Sequence, residues 1–306
     1  MSLVVVGSVA LDSVETPYGK RDEALGGAAT YASCAASLFG EVAMVAVVGS
    51  DFPKAYHDKL LQRGICLDGL VVLEGPTFRW TGVYQGDMGV VRTLNTQLGV
   101  FESFRPIIPD SLKRPRVVLL ESIHPELQLE VLDQMERPEL VAMDTIRLWI
   151  NQKPDKVREV IRRSDLVILN DEEVRSITGE NRLVRAAETI LSWGPRNVIV
   201  KRGEHGASLY GEVGPFSVPS FPTPQVKDPT GAGDSFAGAF LGFLLRGGNL
   251  RSAQRIRQAM VVGTVVASFN VEELSIDRLE RVTLQEIQER CRFIRESTAF
   301  DEVALG

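Results

Sequence analysis

Short apolar runs alternate along this chain with longer segments in which apolar residues recur at helical spacing. The apolar runs are predicted to be buried strands and lie at 3–6, 42–48, 117–120, 140–143, 166–169 and 198–200. The segments with helical spacing are predicted helices and lie at 28–39, 54–63, 125–135, 153–163 and 183–193. This alternation predicts an α/β fold in which helices cover both faces of a mostly parallel central sheet.

Several of the predicted strands end in, or are followed by, a polar residue. These residues are Glu121, Asp144, Asn170 and Lys201. Because the carboxyl ends of parallel strands form the ligand crevice of an open sheet, we expect these side chains to lie at a binding site.

Two segments, at about 11–23 and 77–97, interrupt the alternation. They are rich in glycine, threonine and polar residues, and they contain short β-prone pieces at 80–84 and 90–94. Insertions of this kind are commonly surface excursions without a further role. On the residues alone, that interpretation stays open.

The composition narrows the functional classes. The 306 residues are 44% hydrophobic and 24% charged, so the chain can bury one large core or two modest ones. A formal net charge of −6 argues against a nucleic-acid-binding surface, and we interpret the arginines between positions 246 and 257 as the solvated faces of two helices. No apolar run approaches a membrane span, and residues 1–7 lack the charged region of a signal peptide. We therefore expect a cytoplasmic protein that binds neither nucleic acid nor membrane.

Cysteine and histidine are scarce. The 3 cysteines are widely spaced, which supports neither a disulfide framework nor a zinc cluster, and the 3 histidines form no metal-ligand pattern. The sequence contains no Gly-x-Ser-x-Gly elbow and no Gly-x-x-x-x-Gly-Lys-Ser/Thr loop. It therefore predicts neither a serine hydrolase nor a Walker-type phosphotransferase.

One stretch, residues 228–240, combines a turn, small residues, a carboxylate and an apolar helix in the sequence DPTGAGDSFAGAF. The residues from Gly231 to Gly233 have little bulk, so their N–H groups can approach an anion at a helix start. Asp234 lies in the first turn of the helix, where it could be a cap or could accept a hydroxyl proton. The small residues before it favour phosphoryl transfer over a purely structural cap.

The same stretch is similar to the C-terminal signature of ribokinase-like, or PfkB-type, carbohydrate kinases. The resemblance implies that Asp234 is the catalytic base and that Gly231, Ala232 and Gly233 form an anion hole for the transferred phosphoryl group. It also suggests a monovalent cation such as K⁺ near Asp228 and Thr230. We therefore expect a single ribokinase-like domain over residues 1–306.

In such kinases, excursions like those at 11–23 and 77–97 form a small β-sheet lid. A lid excludes water from the site and so protects the nucleotide from hydrolysis. Because the family's lid often meets a second subunit, the resemblance suggests a homodimer through the lid.

The N-terminal third carries the acceptor side. Gly26 and Gly27 open a helix of small residues and resemble the family's N-terminal Gly-Gly signature, but Tyr31 stands where that signature has an asparagine. Asp12 matches the family's carboxylate for acceptor hydroxyls, and its alternative role is that of a turn residue. With Glu121 and Asp234, these residues are the predicted acceptor site.

The second half carries the nucleotide side. Asn170 and Glu173 match the family's Asn-x-x-Glu element, in which the glutamate binds Mg²⁺ through water, although the pair could also simply cap a helix. Lys201, Gly203 and Gly206 resemble the nucleotide loop, together with Gly231 and Gly233. Ala259 and Met260 replace an Ala-Asn pair that lines the adenine pocket in many relatives, so Met260 is predicted to lie there.

The sequence thus predicts a kinase that uses ATP and Mg²⁺ to phosphorylate a hydroxyl of a sugar or related polyol. A nucleoside kinase of the same fold is an alternative, because Tyr31 departs from the sugar-kinase signature. A ligand sensor without catalysis is another, although a sensor needs no base beside an anion hole.

Overall fold

Two separate sheets hold the strands of residues 2–86 and 88–301, which are the residues described by this computed structural model. The strands are β1 (Leu3–Val6), β2 (Ala10–Thr16), β3 (Gly19–Gly26), β4 (Val42–Gly49), β5 (Ile65–Leu73), β6 (Arg79–Tyr84), β7 (Val91–Gln97), β8 (Val117–Leu120), β9 (Leu140–Met143), β10 (Leu166–Asn170), β11 (Asn197–Lys201), β12 (Ala207–Gly211) and β13 (Phe216–Val218).

The α-helices lie mostly between strands of the larger sheet. They are α1 (Ala28–Ala36), α2 (Lys54–Gln62), α3 (Pro125–Gln134), α4 (Arg147–Gln152), α5 (Pro154–Arg162), α6 (Asp171–Thr178), α7 (Leu183–Leu191), α8 (Ala232–Leu245), α9 (Ala253–Asn270), α10 (Asp277–Arg281) and α11 (Leu284–Thr298). Single 3-10 turns occur at Gly99–Ser103, Asp110–Leu112 and Gly203–His205.

The large sheet has 9 strands in the order β13-β12-β11-β10-β9-β8-β1-β4-β5. Neighbours from β11 to β5 pair in parallel, while β12 pairs antiparallel with β11 and with β13. This arrangement confirms the predicted α/β fold with its mostly parallel sheet. The carboxyl ends of β8, β9, β10 and β11 lie side by side, so the polar residues that follow them share one edge of the sheet.

Alternating side chains divide the core into two layers. Leu3 and Val5 of β1 point into a cluster with α1, α8 and α9, whereas Val4 and Val6 point into a cluster with α3, α5 and α7. Side chains that alternate in this way bury both faces of a parallel strand, which is why its sequence is continuously apolar. No helix in the described ranges is long and apolar enough to cross a membrane.

The second sheet has 4 strands in the order β3-β2-β6-β7 and is called the small sheet below. Its strands cover the two segments that interrupt the strand–helix alternation, so the predicted small β-sheet is confirmed. A small apolar cluster of Val14, Tyr84 and Met88 joins it to Val226 and Leu274 of the main body.

Edge strand β5 was missed in the sequence. Most of its residues are only partly buried or exposed, and Asp68 and Gly69 interrupt its apolar pattern. Since one side of an edge strand has no neighbour, its sequence does not need the continuous apolar run of a central strand.

Helices α1 and α8 pack unusually closely, and this contact brings the two glycine-rich segments together. A Cβ atom on Gly238 would lie 2.0 Å from the carbonyl oxygen of Ala32, and one on Gly242 would lie 2.9 Å from that of Ala36. Only residues without a side chain allow this approach. The starts of both helices, at Gly27 and Gly231, therefore lie at the same end of the pair.

Candidate active site

The loop of residues 228–233, called the signature loop below, leads directly into α8. Its Gly231 is the N-cap residue and has φ 74°, a left-handed conformation that favours glycine. The carbonyl oxygen of Gly231 accepts a hydrogen bond from the N–H of Ser235 at 2.8 Å, which starts the helix. Asp234 consequently lies in the first turn, where the helix dipole favours a negative charge.

Lys201 reaches this loop from the end of β11. A Cβ atom on Gly233 would lie 2.9 Å from Lys201 Nζ, so the ammonium group lies against the loop backbone. The same ammonium group forms an ion pair with Asp144, with 2.5 Å between Nζ and Oδ2. A fixed positive charge beside the amides of a helix start is suited to binding a phosphate group.

Three carboxyl groups converge beside this lysine. Glu121, Asp144 and Asp234 each offer an oxygen, and these oxygens all lie within 4.8 Å of one another. Glu121 has no exposed surface, and neither of its carboxylate oxygens has a hydrogen-bond partner among the described residues. Unpartnered buried oxygens are costly in a protein that holds no compensating ligand.

Glu121 and Asp234 both have a raised pKa, for partly different reasons. Burial raises the pKa of Glu121 well above its usual range, and the charges of Asp234 and Asp144 raise it further. Burial also raises the pKa of Asp234, to about 6, although the charge of Lys201 opposes this shift. Glu121 therefore holds a proton more readily than an exposed glutamate does, whereas Asp234, with its pKa of about 6, is mostly a carboxylate at neutral pH and can accept a proton.

The arrangement fits a hard divalent cation. Mg²⁺ binds oxygen ligands and usually keeps several waters, and the unpartnered oxygens of Glu121 face those of Asp144 and Asp234. Sequence analysis placed Glu121 and Asp144 at strand ends and grouped Glu121 with Asp234 in the acceptor site, but it did not group Asp144 with Asp234. The adjacency of β8 and β9 explains the convergence, because the two acids follow paired strands.

Asn170 and Glu173 form the capping arrangement that the sequence left open. Asn170 Oδ1 accepts a hydrogen bond from the N–H of Glu173 at 2.8 Å, and Glu173 Oε2 accepts one from the N–H of Asn170 at 2.8 Å. Burial raises the pKa of Glu173 to about 8, with the charge of Asp144 adding to the shift and that of Lys201 opposing it. Glu173 thus lies within the field of the same charged group, and its role towards Mg²⁺ stays a prediction.

The remaining residues of the predicted nucleotide side differ in their exposure to solvent. Gly203 is exposed in its 3-10 turn, whereas Gly206 is buried and a Cβ atom there would lie 2.0 Å from the carbonyl oxygen of Val218. Met260 has no exposed surface and belongs to the core beneath α8 and α9. Burial in the core accounts for this side chain without a nucleotide, and its place in the adenine pocket stays a prediction.

Asp12 and Gly26 lie on the small-sheet side of Asp234. A Cβ atom on Gly26 would lie 1.9 Å from Asp12 Oδ2, so the glycine makes room for the carboxylate. Asp12 is 5% exposed. Burial raises its pKa to about 7, the N–H of Gly27 lowers it, and the charges of Asp228 and Asp234 raise it.

Tyr31 packs against the signature loop. A Cβ atom on Gly231 would lie 2.2 Å from Cγ of Tyr31, so the glycine is required by both its φ and its neighbour. Burial raises the pKa of the phenol well above its usual range, as do the charges of Asp228 and Asp12. The side chain is 2% exposed, and a contact with the acceptor stays a prediction.

The carboxylate of Asp228 links the signature loop to Ser275. Its Oδ1 accepts a hydrogen bond from the N–H of Thr230 at 2.9 Å, and its Oδ2 accepts one from the N–H of Ser275 at 3.2 Å. Burial raises the pKa of this carboxyl, and the hydroxyl and N–H of Thr230 lower it. Backbone donors already use both oxygens, and a monovalent cation near Asp228 and Thr230 stays a prediction.

Comparison with known proteins gives a consistent result. A family model described as "pfkB family carbohydrate kinase" matches residues 2–276. A cytidine kinase of Thermococcus kodakarensis is 32% identical over 262 residues, which cover 84% of this chain and 93% of that protein.

Solved structures share the fold. A Methanocaldococcus jannaschii nucleoside kinase of the ribokinase family has a TM-score of 0.78 at 22% identity, with 96% of this chain and 99% of that chain covered. A putative ribokinase II from E. coli, in complex with ATP and Mg²⁺, has a TM-score of 0.78 at 19% identity, with 95% and 99% covered. At these identities the structures establish the ribokinase-like fold.

Proposed function

Since the chain belongs to the pfkB family of carbohydrate kinases, we propose that it transfers the γ-phosphoryl group of ATP to a hydroxyl of a sugar or related polyol, with Asp234 as general base. The observation that carries the proposal is the position of Asp234. It lies at the N-terminus of α8, after the glycine-rich signature loop and within 4.8 Å of the buried Glu121. Its pKa of about 6 leaves it mostly ionised at neutral pH and still able to take a proton.

The residues divide the reaction between them. Asp234 accepts the proton of the acceptor hydroxyl as that oxygen attacks the γ-phosphorus; a new P–O bond forms, and the bond to the β-phosphate oxygen breaks to release ADP. The amides of Gly231 to Gly233 and the ammonium of Lys201 stabilise the negative charge of the moving group. Orientation of the acceptor oxygen by this pocket supplies much of the rate enhancement.

Glu121 and Asp144 would hold Mg²⁺, with Glu173 acting through water. When bound, the ion neutralises charge on the β- and γ-phosphate oxygens.

The small sheet is the proposed lid. It covers the Asp12 side of the site, and a closed lid would exclude water that could otherwise hydrolyse ATP.

We also propose that residues 1–306 act as one domain and that a homodimer forms through the lid. Leu94 is an exposed residue of β7. Comparison of the sedimentation of the wild type with that of a Leu94→Glu variant tests the dimer.

The acceptor is proposed to be uncharged. Burial raises the pKa of Asp12, and the charges of Asp228 and Asp234 raise it further, so the three acids lie within one negative field. A phosphorylated acceptor would bring further negative charge into this buried group, at a cost that rises as the local dielectric falls. Free sugars, polyols and nucleosides all meet the condition.

A nucleoside is the second candidate, and one observation favours it. The cytidine kinase from Thermococcus is 32% identical to this chain over most of both proteins. Tyr31, where the sugar-kinase signature has asparagine, is consistent with an altered acceptor.

A panel of acceptors with ADP release as the readout tests both candidates. It contains ribose and other free sugars, polyols, cytidine and other nucleosides, and as charged controls ribose 5-phosphate and fructose 6-phosphate. Turnover of a neutral sugar or nucleoside supports the proposal and selects the class. Preference for a phosphorylated acceptor contradicts the uncharged pocket, and failure of every acceptor with ATP still bound favours the ligand sensor.

A cation comparison tests the proposed K⁺ effect separately. Activity in potassium chloride is compared with activity in tetramethylammonium chloride at equal ionic strength. Higher activity in potassium supports a monovalent cation near Asp228 and Thr230, and equal activity removes it from the proposal.

A further inference from the structure

The signature loop is tied to two strands of the small sheet by a continuous series of hydrogen bonds. At one end, Thr230 Oγ1 donates to the hydroxyl of Tyr84, at the end of β6, over 3.2 Å. At the other end, Ser275 Oγ donates to the carbonyl oxygen of Leu25, in β3, over 2.6 Å. Asp228 joins the two ends, because its carboxylate accepts hydrogen bonds from the N–H groups of Thr230 and Ser275.

Apolar contacts hold the same connection in place. Tyr84 is 8% exposed and lies in the cluster with Val14 and Met88. The main-body members of this cluster are Val226, two residues before the loop, and Leu274, next to Ser275. Packing therefore fixes the tyrosine ring beside the loop, and the hydroxyl supplies the directional contact.

Other contacts hold the rest of the loop. Tyr31 packs against Gly231, which has a left-handed φ of 74°, and the ammonium of Lys201 lies against Gly233. Asn270 Nδ2 donates a hydrogen bond to the carbonyl oxygen of Thr230 at 2.8 Å. The hydroxyl of Tyr84 adds a contact from the small sheet to the side chain of Thr230. Because Asp234 follows Thr230 by four residues, a shift of the loop would move both the anion hole and the base.

We infer that Tyr84 is a positioning residue for phosphoryl transfer: its hydroxyl holds the signature loop, through Thr230, in the geometry that the reaction requires. The inference rests on the proposed function. The small sheet then does more than exclude water, because its closure also completes the alignment of the loop. Misalignment by a fraction of the reacting distance is enough to slow such a reaction.

The test compares two tyrosine-to-phenylalanine variants. Tyr84→Phe removes the hydroxyl that faces the loop and keeps the ring. Tyr56→Phe is the matched control, because Tyr56 Oη donates to the carbonyl oxygen of Glu23 at 3.1 Å and so ties the small sheet to α2, away from the loop. We expect kcat of Tyr84→Phe to fall roughly 2- to 12-fold, the range for loss of one hydrogen bond, with KM for ATP within about twofold of wild type. Tyr56→Phe should keep the wild-type kcat.

Amide hydrogen exchange provides a readout that does not depend on catalysis. The peptide containing residues 228–234 should exchange at least about twice as fast in Tyr84→Phe as in Tyr56→Phe, since the loop loses a restraint. If the wild type phosphorylates none of the acceptors, the proposed function fails, and exchange alone decides the role of Tyr84. Equal exchange and equal kcat in the two variants would overturn the inference.

Substitutions at Thr230 complete the test. Thr230→Val removes the donor of the hydrogen bond to Tyr84 and also the hydroxyl that lowers the pKa of Asp228, so its kcat should fall at least as far as that of Tyr84→Phe. In the double variant with Tyr84→Phe and Thr230→Val, the loss should be no greater than in Thr230→Val alone, because the hydrogen bond between the two hydroxyls is already absent. Multiplied losses in the double variant would contradict a shared contact.

Discussion

The two sides of Asp234 hold similar numbers of acids and differ in how their charge is compensated. On the main-sheet side, Glu121 and Asp144 surround the ammonium of Lys201. On the small-sheet side, Asp228 accepts hydrogen bonds from the N–H groups of Thr230 and Ser275, and the charges of Asp228 and Asp12 add to the effect of burial in raising the pKa of the Tyr31 phenol. Arg21 lowers the pKa of Asp228, but its guanidinium is ion-paired with Asp277 at 2.5 Å.

This difference indicates what each side can bind. A side that contains a fixed cation and helix-start amides can receive the phosphates of a nucleotide. A side with carboxylates and no compensating cation is suited to hydrogen bonds from neutral hydroxyl groups, which a carboxylate accepts. The difference therefore supports the proposal that the nucleotide binds on the main-sheet side and the acceptor on the small-sheet side.

Removal of the base, which lies between the two sides, should have the largest effect. Asp234→Asn keeps the shape of the side chain but cannot accept the hydroxyl proton, so kcat should fall by about 10²- to 10⁴-fold. Calorimetric titration with ATP should give an affinity close to wild type, because Lys201 and the loop amides are retained. Wild-type turnover by the purified variant would show that Asp234 is not the base.

Loss of the Lys201 ammonium, on the main-sheet side, should have the second-largest effect. Lys201→Gln leaves Asp144, whose side chain is 5% exposed, as a buried charge without a partner. We expect the free energy of unfolding to drop by about 3–5 kcal/mol in urea denaturation, together with a weaker affinity for ATP.

The control for this variant is an exposed pair of the same chemistry. Lys54 Nζ and Asp58 Oδ2 are 2.6 Å apart, and the side chain of Lys54 is 85% exposed. Lys54→Gln should leave the free energy of unfolding close to that of the wild type, because solvent screens the pair. Similar losses in the two variants would remove the special role of the buried lysine.

The rate should depend on pH through Asp234. Its pKa of about 6 means that the base is protonated in acid, so kcat/KM should decline as pH falls through about 6. Between pH 7 and pH 5 the deprotonated fraction decreases by about tenfold, and the rate should follow. A flat profile over this range, at constant ionic strength, would mean that a different group limits the reaction.

The stability of the ligand-free protein should fall as pH rises from about 4 to about 8. The pKa of Asp12 is raised from 3.8 to about 7 and that of Glu173 from 4.5 to about 8. Folding therefore binds protons that the unfolded chain has lost, and this contribution is present at low pH and disappears as pH passes through the folded-state values. We expect a loss of at least about 1.4 kcal/mol, the equivalent of one pKa unit, measured by urea denaturation at each pH. Stability that instead increased over this range would contradict the burial of these acids.

The sequence predicts the centre of the fold better than its margins. Strands β1, β8 and β9 have the bounds that their apolar runs predict, because both faces of each strand are buried. Edge strand β5 lacks such a run and was missed. Helices α1 and α7 end before the predicted positions, since apolar residues such as Phe39 and Trp193 continue past the last helical turn.

In the candidate site, too, some residues could be predicted from the sequence and others could not. Asp234, the glycines of its loop and the Asn170–Glu173 cap are local in sequence, and their spacing could be recognised. The group of Glu121 and Asp144 with Asp234 depends on the pairing of β8 with β9 and on the packing of α8. The contact of Tyr84 with Thr230 joins residues 146 positions apart, and neither residue carries a pattern of its own that indicates the other.

Met260 shows the limit of position-by-position comparison. Its neighbour Ala259 matches the pair that lines the adenine pocket in relatives, but a methionine in an apolar helix is stabilised by burial, and here it has no exposed surface. Burial alone therefore explains this methionine, and its place in the adenine pocket stays a prediction.

The close packing of α1 on α8 restricts how this chain can be recombined with its relatives. Tyr31 fits over Gly231, Ala32 over Gly238 and Ala36 over Gly242, so each small position on one helix is matched to a specific neighbour on the other. A hybrid enzyme that imports a new acceptor segment at 26–36 would bring side chains shaped for a different partner helix. Exchange of residues 26–36 together with 231–242 should give folded hybrids, and exchange of either segment alone should give few.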